Sequence, residues 1–390
     1  MKIAILTYWT SSDNYGQLLQ CYALQKYLRD KGYEAYLVRY SPINQNIRHN
    51  PTIWNKLKNV KLKNLLPWVR KRLKAEIAYE NHLRKLNKKL NLQRKFDEFR
   101  NSYLCVSEII YHSIEELKAN PPQADIYICG SDQVWHDSLL EPNVAGWYLQ
   151  FGDNNIKRIS YAASIGRTYK KEEYDKLKLY LSKFNAISLR EYKAYKIIKD
   201  IGFDNAKMVP DPTLLLPTNK YISLIKENNK TINKTQYIFF YTINIKSPNE
   251  ICWYELKSFI ESQSLSIKSV GSSGYYPARN IIPNVENIQA TIPEWLSLIK
   301  GAKYVVTTSF HGVIFCIKMH VQFMVIPLMN ENSSANDRIF SFLNSVGLSN
   351  RIYIKPMKAS VLLCQEIDWD KVDKAIDDLK NIGEQFLKIN

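Results

Sequence analysis

Long apolar runs and paired cysteines are both missing from this chain of 390 residues. Because no stretch of about 18 apolar residues occurs, the sequence predicts no membrane-spanning helix. The apolar start soon turns polar without a small-residue cleavage site, so we expect no signal peptide. The six cysteines stand singly, without a Cys-x-x-Cys pair, which argues against a zinc ribbon or a thioredoxin-type redox site. Isolated thiols of this kind indicate a reducing cytoplasm.

The short motifs of several enzyme classes are also missing. The chain contains no GxGxxG, GxxxxGK[ST], HExxH or GxSxG sequence, which disfavours nucleotide hydrolases, zinc proteases and α/β-hydrolases. The histidines other than His311 show no metal-ligand spacing with carboxylates or cysteines. We therefore expect neither a metal site nor a bound cofactor.

The excess of positive charge is concentrated in one segment. The chain has 54 Lys and Arg residues against 37 Asp and Glu residues, a formal charge of +17. Residues 43–100 hold 16 of the basic residues and 4 of the acidic ones, which accounts for +12 of the excess. The rest of the chain is therefore nearly balanced in charge.

Within residues 43–100, apolar residues recur every three to four positions on both sides of Pro67, which is typical of amphipathic helices. Cationic faces with tryptophan suit an anionic membrane surface, and the same lysines suit a solvated helical hairpin equally well. Nucleic-acid binding ranks below both because no nucleic-acid motif occurs. The residues predicted to contact the membrane are Trp54, Lys58, Trp68, Arg70, Lys71 and Arg72.

Alternating strands and helices dominate the remainder of the chain. An apolar strand at 2–7, a polar loop, a helix that ends at Gly32 and a strand at 36–40 form a βαβ pattern. Such units build parallel sheets that carry their functional sites at the carboxyl ends of the strands. The sequence therefore predicts an α/β protein.

A polar stretch near residues 218–235 separates two such series of strands and helices. We expect a first domain at 1–217, interrupted by the basic helical insertion at 43–100. A second domain at 218–365 and a C-terminal helix at 366–390 complete the predicted organisation.

Two side chains at strand ends are the strongest candidates for chemistry. His311 follows an apolar strand and opens a helix, where free amides and the helix dipole favour an anion. A histidine in that position suits proton donation, and the alternative is a histidine hydrogen-bonded for structure. Arg190 also ends a strand and has the geometry to bind a phosphate or carboxylate, or equally to form an ion pair with a carboxylate such as Glu191.

Polar residues with neighbouring aromatic rings follow two strands of the first domain, and this combination suits a sugar. Helix capping explains Asp13 and Asp132 equally well. Asp211 stands between two prolines and is predicted to serve a turn. The residues predicted at the sugar site are Asp13, Asn14, Tyr15, Gly16, Gln17, Ser131, Asp132, Gln133 and Trp135.

Taken in order, the sequence pieces resemble the polysaccharide pyruvyl transferase family. They are Asp13-Asn14-Tyr15-Gly16-Gln17, Gly130-Ser131-Asp132-Gln133-Val134-Trp135, Tyr161-Ala162-Ala163-Ser164-Ile165-Gly166, Ser188-Leu189-Arg190-Glu191, Asp211-Pro212-Thr213, Glu294-Trp295-Leu296, Thr308-Ser309-Phe310-His311-Gly312 and Asp337-Arg338-Ile339. The resemblance extends from the first strand to about residue 350 and leaves out the insertion and the tail.

The resemblance implies a GT-B-like fold, with two Rossmann-type domains facing each other across a cleft. It also implies a metal-independent transfer of pyruvate from phosphoenolpyruvate to two hydroxyls of one sugar, which forms a cyclic ketal. On this basis His311 and Arg190 are the catalytic residues, and the first-domain loops hold the acceptor. The phosphoenolpyruvate-binding residues would be Arg190, Ser309, Phe310, His311, Gly312 and Arg338.

The resemblance further implies surface-polysaccharide biosynthesis, with a 4,6-ketal on a galactose-type residue as the common product. An acceptor linked to undecaprenyl diphosphate would place the enzyme in the cytoplasm, at the inner face of the cell membrane. The competing hypothesis is a GT-B glycosyltransferase that uses a nucleotide-sugar, since the same cleft accepts one. A non-catalytic binding protein ranks lower because His311 and Arg190 would then have no task.

Overall fold

The computed structural model describes residues 1–11, 13–42, 92–226, 236–245, 247–271 and 281–388. The first domain is built around a parallel sheet with strand order β3-β2-β1-β4-β5. Its elements are β1 (Lys2–Leu6), α1 (Tyr15–Asp30), β2 (Glu34–Tyr40), α2 (Phe96–Tyr103), β3 (Val106–Tyr111), α3 (Ile114–Ala119), β4 (Ile126–Cys129), α4 (Val144–Trp147), β5 (Lys157–Ser160), α5 (Tyr174–Leu181), β6 (Ser188–Leu189), α6 (Tyr192–Asp200) and β7 (Lys207–Met208).

The strands β6 and β7 extend this sheet beyond β5. They pair with each other in parallel. One bridge joins Ile159 of β5 to Ala186 just before β6, and another joins Ala163 of the loop after β5 to Leu189 of β6. The carboxyl ends of β4, β6 and β7 therefore open onto the same edge. That edge is where a doubly wound sheet places its functional groups.

The second domain repeats the architecture with strand order β10-β9-β8-β11-β12, again all parallel. Its elements are α7 (Thr218–Lys226), β8 (Tyr237–Tyr241), α8 (Trp253–Ser262), β9 (Ser266–Val270), β10 (Glu286–Ile288), α9 (Ile292–Lys300), β11 (Tyr304–Thr307), α10 (Phe310–Lys318), β12 (Phe323–Val325), α11 (Asn336–Ser345) and α12 (Ala359–Cys364). The prediction of an α/β protein with two Rossmann-type domains is confirmed.

Local sequence explains where the key helices begin. The Asn14 side chain accepts a hydrogen bond from the Gln17 amide and caps α1. Thr291 and Glu294 form a reciprocal capping box at the start of α9, with Pro293 in the first turn. Ser309 caps α10 by accepting a hydrogen bond from the Gly312 amide, which sets His311 in the first turn of that helix.

The two domains share one continuous hydrophobic core. Tyr15, at the start of α1, stacks on Trp295 of α9 with 5.2 Å between ring centroids and 8° between the planes. The Tyr15 hydroxyl donates a hydrogen bond to the Ala290 carbonyl oxygen at 2.8 Å. Both rings are fully buried, so the start of α1 is anchored to the second domain.

A final helix, α13 (Trp369–Phe386), runs from the second domain back to the first. At its start His320 Nε2 lies 2.9 Å from Asp373 Oδ1. At its end the Phe386 ring packs on Tyr161 of the first domain. None of the described helices combines the length and apolar composition needed to cross a bilayer.

The last part of the predicted insertion at 43–100 contributes to the first-domain core. Phe96 and Phe99 of α2 are buried, and Phe96 packs edge-on against Tyr15 with 5.0 Å between ring centroids. The Arg94 Nε donates to Gln289 Oε1 of the second domain at 3.0 Å. Residues 43–91, with all six predicted membrane-contacting residues, lie outside the described residues.

Candidate active site

Four charged or titratable side chains meet where the strand ends of the two domains face each other. Asp132, Arg190 and Asp211 follow β4, β6 and β7 of the first domain, and His311 opens α10 of the second. All four are at least nine-tenths buried. Parallel sheets bring these distant residues together because their strands all end at the same edge.

Asp211 is the hub of this cluster, in the sense that its carboxylate contacts both Arg190 and His311. Its Oδ2 accepts hydrogen bonds from Arg190 Nη1 at 2.7 Å and from Ser131 Oγ at 3.2 Å. The same oxygen lies 3.4 Å from His311 Nε2, an ion-pair contact rather than a hydrogen bond. The Oδ1 accepts from the amide and the hydroxyl of Thr213. One carboxylate thus holds an arginine and a histidine from opposite domains.

The Arg190 guanidinium is bonded mainly to first-domain carboxylates. Besides its bond to Asp211, Nη2 donates to Asp132 Oδ1 at 3.2 Å, and the group lies 4.5 Å above the Phe310 ring. Only 2% of the side chain is exposed, and Nε is buried without a hydrogen-bond partner in the described residues. That Arg190 binds phosphoenolpyruvate stays a prediction.

His311 is held between this cluster and the start of α1. A Cβ added to Gly16 would lie 2.1 Å from His311 Nδ1, so the glycine is what lets the helix approach the imidazole. The side chain is 9% exposed, and Nε2 has no hydrogen-bond partner in the described part of the chain. The imidazole is therefore positioned by packing and by the charge of Asp211.

The charges in the cluster stabilise one another. Burial alone would raise the pKa of Asp211, but His311, Arg190 and the Thr213 amide lower it far below the usual range. Burial opposes ionisation of Asp132 as well, and Arg190, His311 and Arg338 bring its pKa below normal. Burial likewise opposes the charge of Arg190, and Asp211 and Asp132 raise its pKa. The two carboxylates are therefore ionised partners of the buried cations.

A small pocket of about 10 Å³, with room for about one water molecule, adjoins the cluster at the boundary between the domains. Gln133, Gly166 and Glu191 line it from the first domain, and Ser334 and Arg338 line it from the second. Burial and the nearby Arg190 lower the pKa of Arg338, and its Nε is buried without a hydrogen-bond partner in the described residues. The pocket thus presents a cation whose bonding capacity is not used.

The remaining predicted donor-side residues lie at the start of α10. Ser309 and Phe310 are buried, and Gly312 leaves no room for a side chain because an added Cβ would lie 2.5 Å from Thr307 Oγ1. The first amides of a helix lack intrahelical acceptors, so this turn retains the character of an anion site. Arg338, of α11, lies close enough to Arg190 and Asp211 to affect their electrostatics.

The predicted sugar-site residues separate into three groups. Asp13, Asn14, Gly16 and Gln17 lie around the start of α1 on the His311 side, and burial raises the pKa of Asp13 although Arg94 opposes it. Ser131 and Asp132 are buried in the charged cluster. Gln133 is half-buried and lines the pocket between the domains.

Two predicted sugar-site aromatics belong to the hydrophobic core instead. Trp135 is fully buried, stacks on Tyr148 and donates its Nε1 hydrogen to the Trp147 carbonyl oxygen. Tyr15 is fully buried against Trp295. Neither ring presents a face to a ligand, because burial of a large aromatic surface stabilises the fold more than exposure to solvent would.

Sequence reasoning missed Asp211 as a member of the charged cluster. The turn predicted for Asp211 exists, since its carboxylate accepts the Thr213 amide, but the same side chain also binds Arg190 and contacts His311. The available signal was its place in the Asp211-Pro212-Thr213 piece of the family resemblance.

Comparisons with known proteins agree with this architecture. A search of curated proteins finds no match. The UDP-N-acetylglucosamine 2-epimerase from Rickettsia bellii has a similar structure, with a TM-score of 0.50 and 9% identity over 100% of this chain and 95% of that chain. The UDP-GlcNAc 2-epimerase from Neisseria meningitidis bound to UDP-GlcNAc gives 0.45 and 9%, over 100% and 94%. UGT89C1 from Arabidopsis thaliana gives 0.46 and 8%, over 99% of each chain.

At 9% identity the similarity to the Rickettsia bellii enzyme shows the fold alone, which is GT-B-like. The model of the family described as polysaccharide pyruvyl transferase matches residues 14–328. That range contains the whole charged cluster, from Asp132 to His311. The chain belongs to the polysaccharide pyruvyl transferase family.

Proposed function

We propose that this protein transfers pyruvate from phosphoenolpyruvate to two hydroxyls of one sugar, forming a cyclic ketal. The observation that carries the proposal is the joining of His311 to the first-domain strand ends through Asp211, within a chain of this family. A histidine next to a buried carboxylate is a common arrangement for proton transfer.

His311 serves as the acid that protonates the methylene carbon of phosphoenolpyruvate. Protonation makes C2 electron-deficient, so a sugar hydroxyl attacks it, and a second hydroxyl completes the ketal as phosphate departs. Asp211 stabilises the protonated imidazole, and Arg190 orients Asp211 and Asp132. Arg190 acts here as a positioning residue.

Arg338 and the first turn of α10 form the anion-binding part of the site. Phosphoenolpyruvate carries a carboxylate and a phosphate, and the unpaired Nε of Arg338 offers a donor to one of them. The amides of Phe310 and His311 offer donors at a positive helix end. The protein requires no cofactor besides this co-substrate in the proposed reaction.

The acceptor is a sugar with hydroxyls close enough to close one ring, and a galactose-type residue with free 4- and 6-hydroxyls is the first to test. Asp13, Asn14 and Gln133 border the cleft from the first domain and present carboxylate and amide groups suited to sugar hydroxyls. The proposed natural acceptor is an undecaprenyl-diphosphate-linked oligosaccharide of a surface or capsular polysaccharide.

The reaction and its competitor give different products. The proposal predicts acceptor-dependent release of phosphate from phosphoenolpyruvate, with the ketal identified by mass spectrometry and NMR. A glycosyltransferase would instead release a nucleoside diphosphate from a sugar nucleotide. His311→Ala and Arg190→Ala should each abolish the phosphate release, and wild-type rates in both variants would refute the site assignment.

Membrane association is a separate part of the proposal and rests on the sequence of residues 43–91. A basic amphipathic segment would dock the enzyme at an anionic leaflet, beside a lipid-linked acceptor. Deleting residues 50–75 should abolish binding to anionic vesicles and leave turnover of a soluble, short-lipid acceptor intact. Equal vesicle binding by the deletion variant would refute the docking role.

A further inference from the structure

A second cavity lies at the opposite end of α10 from the charged cluster. Its volume of about 470 Å³ is within the range for small-molecule sites, ~300–1,000 Å³. The end of α9, the end of α10, the connecting segment 214–218 and one face of α13 line it. The cavity is therefore large enough for a metabolite, and it lies where the chain passes from the first domain to the second.

A buried ammonium group with unused donors belongs to the lining of this cavity. Lys318 is 9% exposed, and its Nζ donates a hydrogen bond to the Leu216 carbonyl oxygen at 2.8 Å. That is the one hydrogen bond of Nζ among the described residues, whereas an ammonium group has three donors. A buried charge without full compensation costs free energy, which points to a partner outside the fold.

The neighbours of Lys318 Nζ show that it lies at the cavity. Leu216, which accepts its hydrogen bond, lines the same space. Burial and the charge of Lys380 lower the pKa of Lys318 to about 8, and Asp373 and Asp377 act in the opposite direction. All three of these charged residues also line the cavity. The ammonium group is therefore surrounded by lining residues that balance its charge only in part.

Positive charge exceeds negative charge in this lining. Lys300, the last residue of α9, adds a third ammonium group, and no ion pair within 4.0 Å joins it to a described residue. Of the two aspartates, Asp373 is paired with His320, with 2.9 Å between Oδ1 and Nε2. Among the described lining residues, Asp377 is thus the one carboxylate left to face three lysines.

We infer that this cavity binds a small organic phosphate, with the Lys318 ammonium as the principal donor to the phosphate group. Three ammonium groups around one space favour a doubly charged anion over a singly charged one. The volume leaves room for more than a phosphate ion, and apolar side chains complete the lining. These side chains, which suit the organic part of the ligand, are Leu214, Ile222, Met319 and Ile376.

A ligand in this cavity would contact both domains. Lys318 ends α10 in the second domain, whereas Leu214 and Leu216 belong to the segment that follows Asp211 in the first. The same helix contacts that segment at its other end, where His311 Nε2 lies 3.4 Å from Asp211 Oδ2. Binding should therefore stabilise the arrangement of the domains, and saturating ligand should raise the temperature of thermal unfolding.

The test measures binding of glycerol 3-phosphate and of inorganic phosphate to the full chain by isothermal titration calorimetry. Lys318→Met keeps the length of the side chain and removes its charge, so the Kd for glycerol 3-phosphate should rise by about tenfold or more. The matched control is Lys303→Met, since Lys303 Nζ bonds Gln263 Oε1 outside the cavity. Its Kd should equal that of the wild-type protein.

A second variant guards against a folding defect in Lys318→Met. Lys380→Met changes a half-buried residue of α13 and should also raise the Kd, by about threefold, with thermal unfolding showing that each variant is folded. Unchanged affinity in both lysine variants overturns the inference.

Two further outcomes separate the alternatives. Binding that is lost in Arg338→Ala and kept in Lys318→Met would place the phosphate at the proposed active site and overturn the inference. Glycerol 3-phosphate should bind more tightly than inorganic phosphate, because its organic part contacts the apolar lining. Equal affinity for the two probes would overturn the assignment to an organic phosphate.

Discussion

Arg190 and Glu191 are adjacent in the chain, yet they are bonded to different parts of the molecule. Arg190 is 2% exposed at its side chain and is bonded to two carboxylates and an aromatic ring. Glu191 is also buried, but its hydrogen bonds go only to Ser164 and Ile165 of the neighbouring loop. Each side chain keeps one buried atom without a hydrogen-bond partner in the described residues, Nε of Arg190 and Oε2 of Glu191.

The difference lies in how far the bonds of each charge reach. Arg190 connects Asp132 and Asp211, and breaking either ion pair would leave an uncompensated buried charge. Asp211 in turn contacts His311 of the second domain, whereas the bonds of Glu191 stay within the first domain. The charged cluster around Asp211 therefore holds the two domains in register.

The largest expected effect comes from removing the hub of the cluster. Asp211→Ala leaves Arg190 and His311 without their shared carboxylate, and we expect a loss of ~3–5 kcal/mol in the free energy of unfolding. Urea unfolding measures it. The control Asp373→Ala removes an exposed carboxylate that pairs with His320, and should cost less than about 1 kcal/mol. Equal losses in both variants would contradict the distinction.

Removing the His311 imidazole should affect the rate of the reaction more than the stability of the fold. His311→Ala should reduce kcat for phosphate release by about 100-fold or more while the protein remains folded. His320→Ala is the matched control, since this histidine follows α10 and pairs with Asp373 of α13. Loss of activity in both variants would show that the effect is not specific to the site.

Because α1 packs directly on the His311 imidazole, substitutions at Gly16 and His311 should have non-additive effects on the free energy of unfolding. Gly16→Ala places a Cβ 2.1 Å from His311 Nδ1, so the ring must move, at an expected cost of ~1–3 kcal/mol. In a His311→Ala background the cost should shrink because most of the ring is gone. Additive effects in this double-mutant cycle would mean that the two residues are not in contact.

Most strands and helices could be predicted from periodicity and capping. The helix from Tyr15, the strand before His311 and the helix after it follow directly from local patterns. The role of Asp211 could not be predicted in this way, because Arg190 is 21 residues away and His311 belongs to the other domain. Such a hub is created by topology, which no local pattern contains.

For two aromatic residues near the site, local sequence context predicts the wrong environment. Trp135 and Tyr15 are surrounded by polar residues in sequence, which predicts exposure, yet both rings are buried in the core. Side chains of this size stabilise a domain most when they are covered. The unpaired Oε2 of Glu191 could not be predicted from the sequence either, because it depends on which hydrogen bonds the neighbouring loop donates.

A fully bonded carboxylate beside the small pocket between the domains should govern part of the acid stability. Two hydrogen bonds from Arg167 lower the pKa of Glu173 to about 2, although burial of the carboxylate acts in the opposite direction. Its contribution is complete above the unfolded value of about 4.3 and is lost as pH falls toward 2. Glu173→Gln should flatten the fall in stability over that window, as measured by urea unfolding at several pH values.

The smallest effect is expected at the rim of the pocket. Lys193 Nζ and Asp337 Oδ2 lie 3.3 Å apart and join the two domains, but about half of each side chain is exposed. Lys193→Ala should therefore cost less than about 1 kcal/mol at low salt and nothing measurable at high salt, because solvent and ions screen the pair. A loss comparable with that of Asp211→Ala would mean that rim contacts, rather than the buried cluster, hold the domains together.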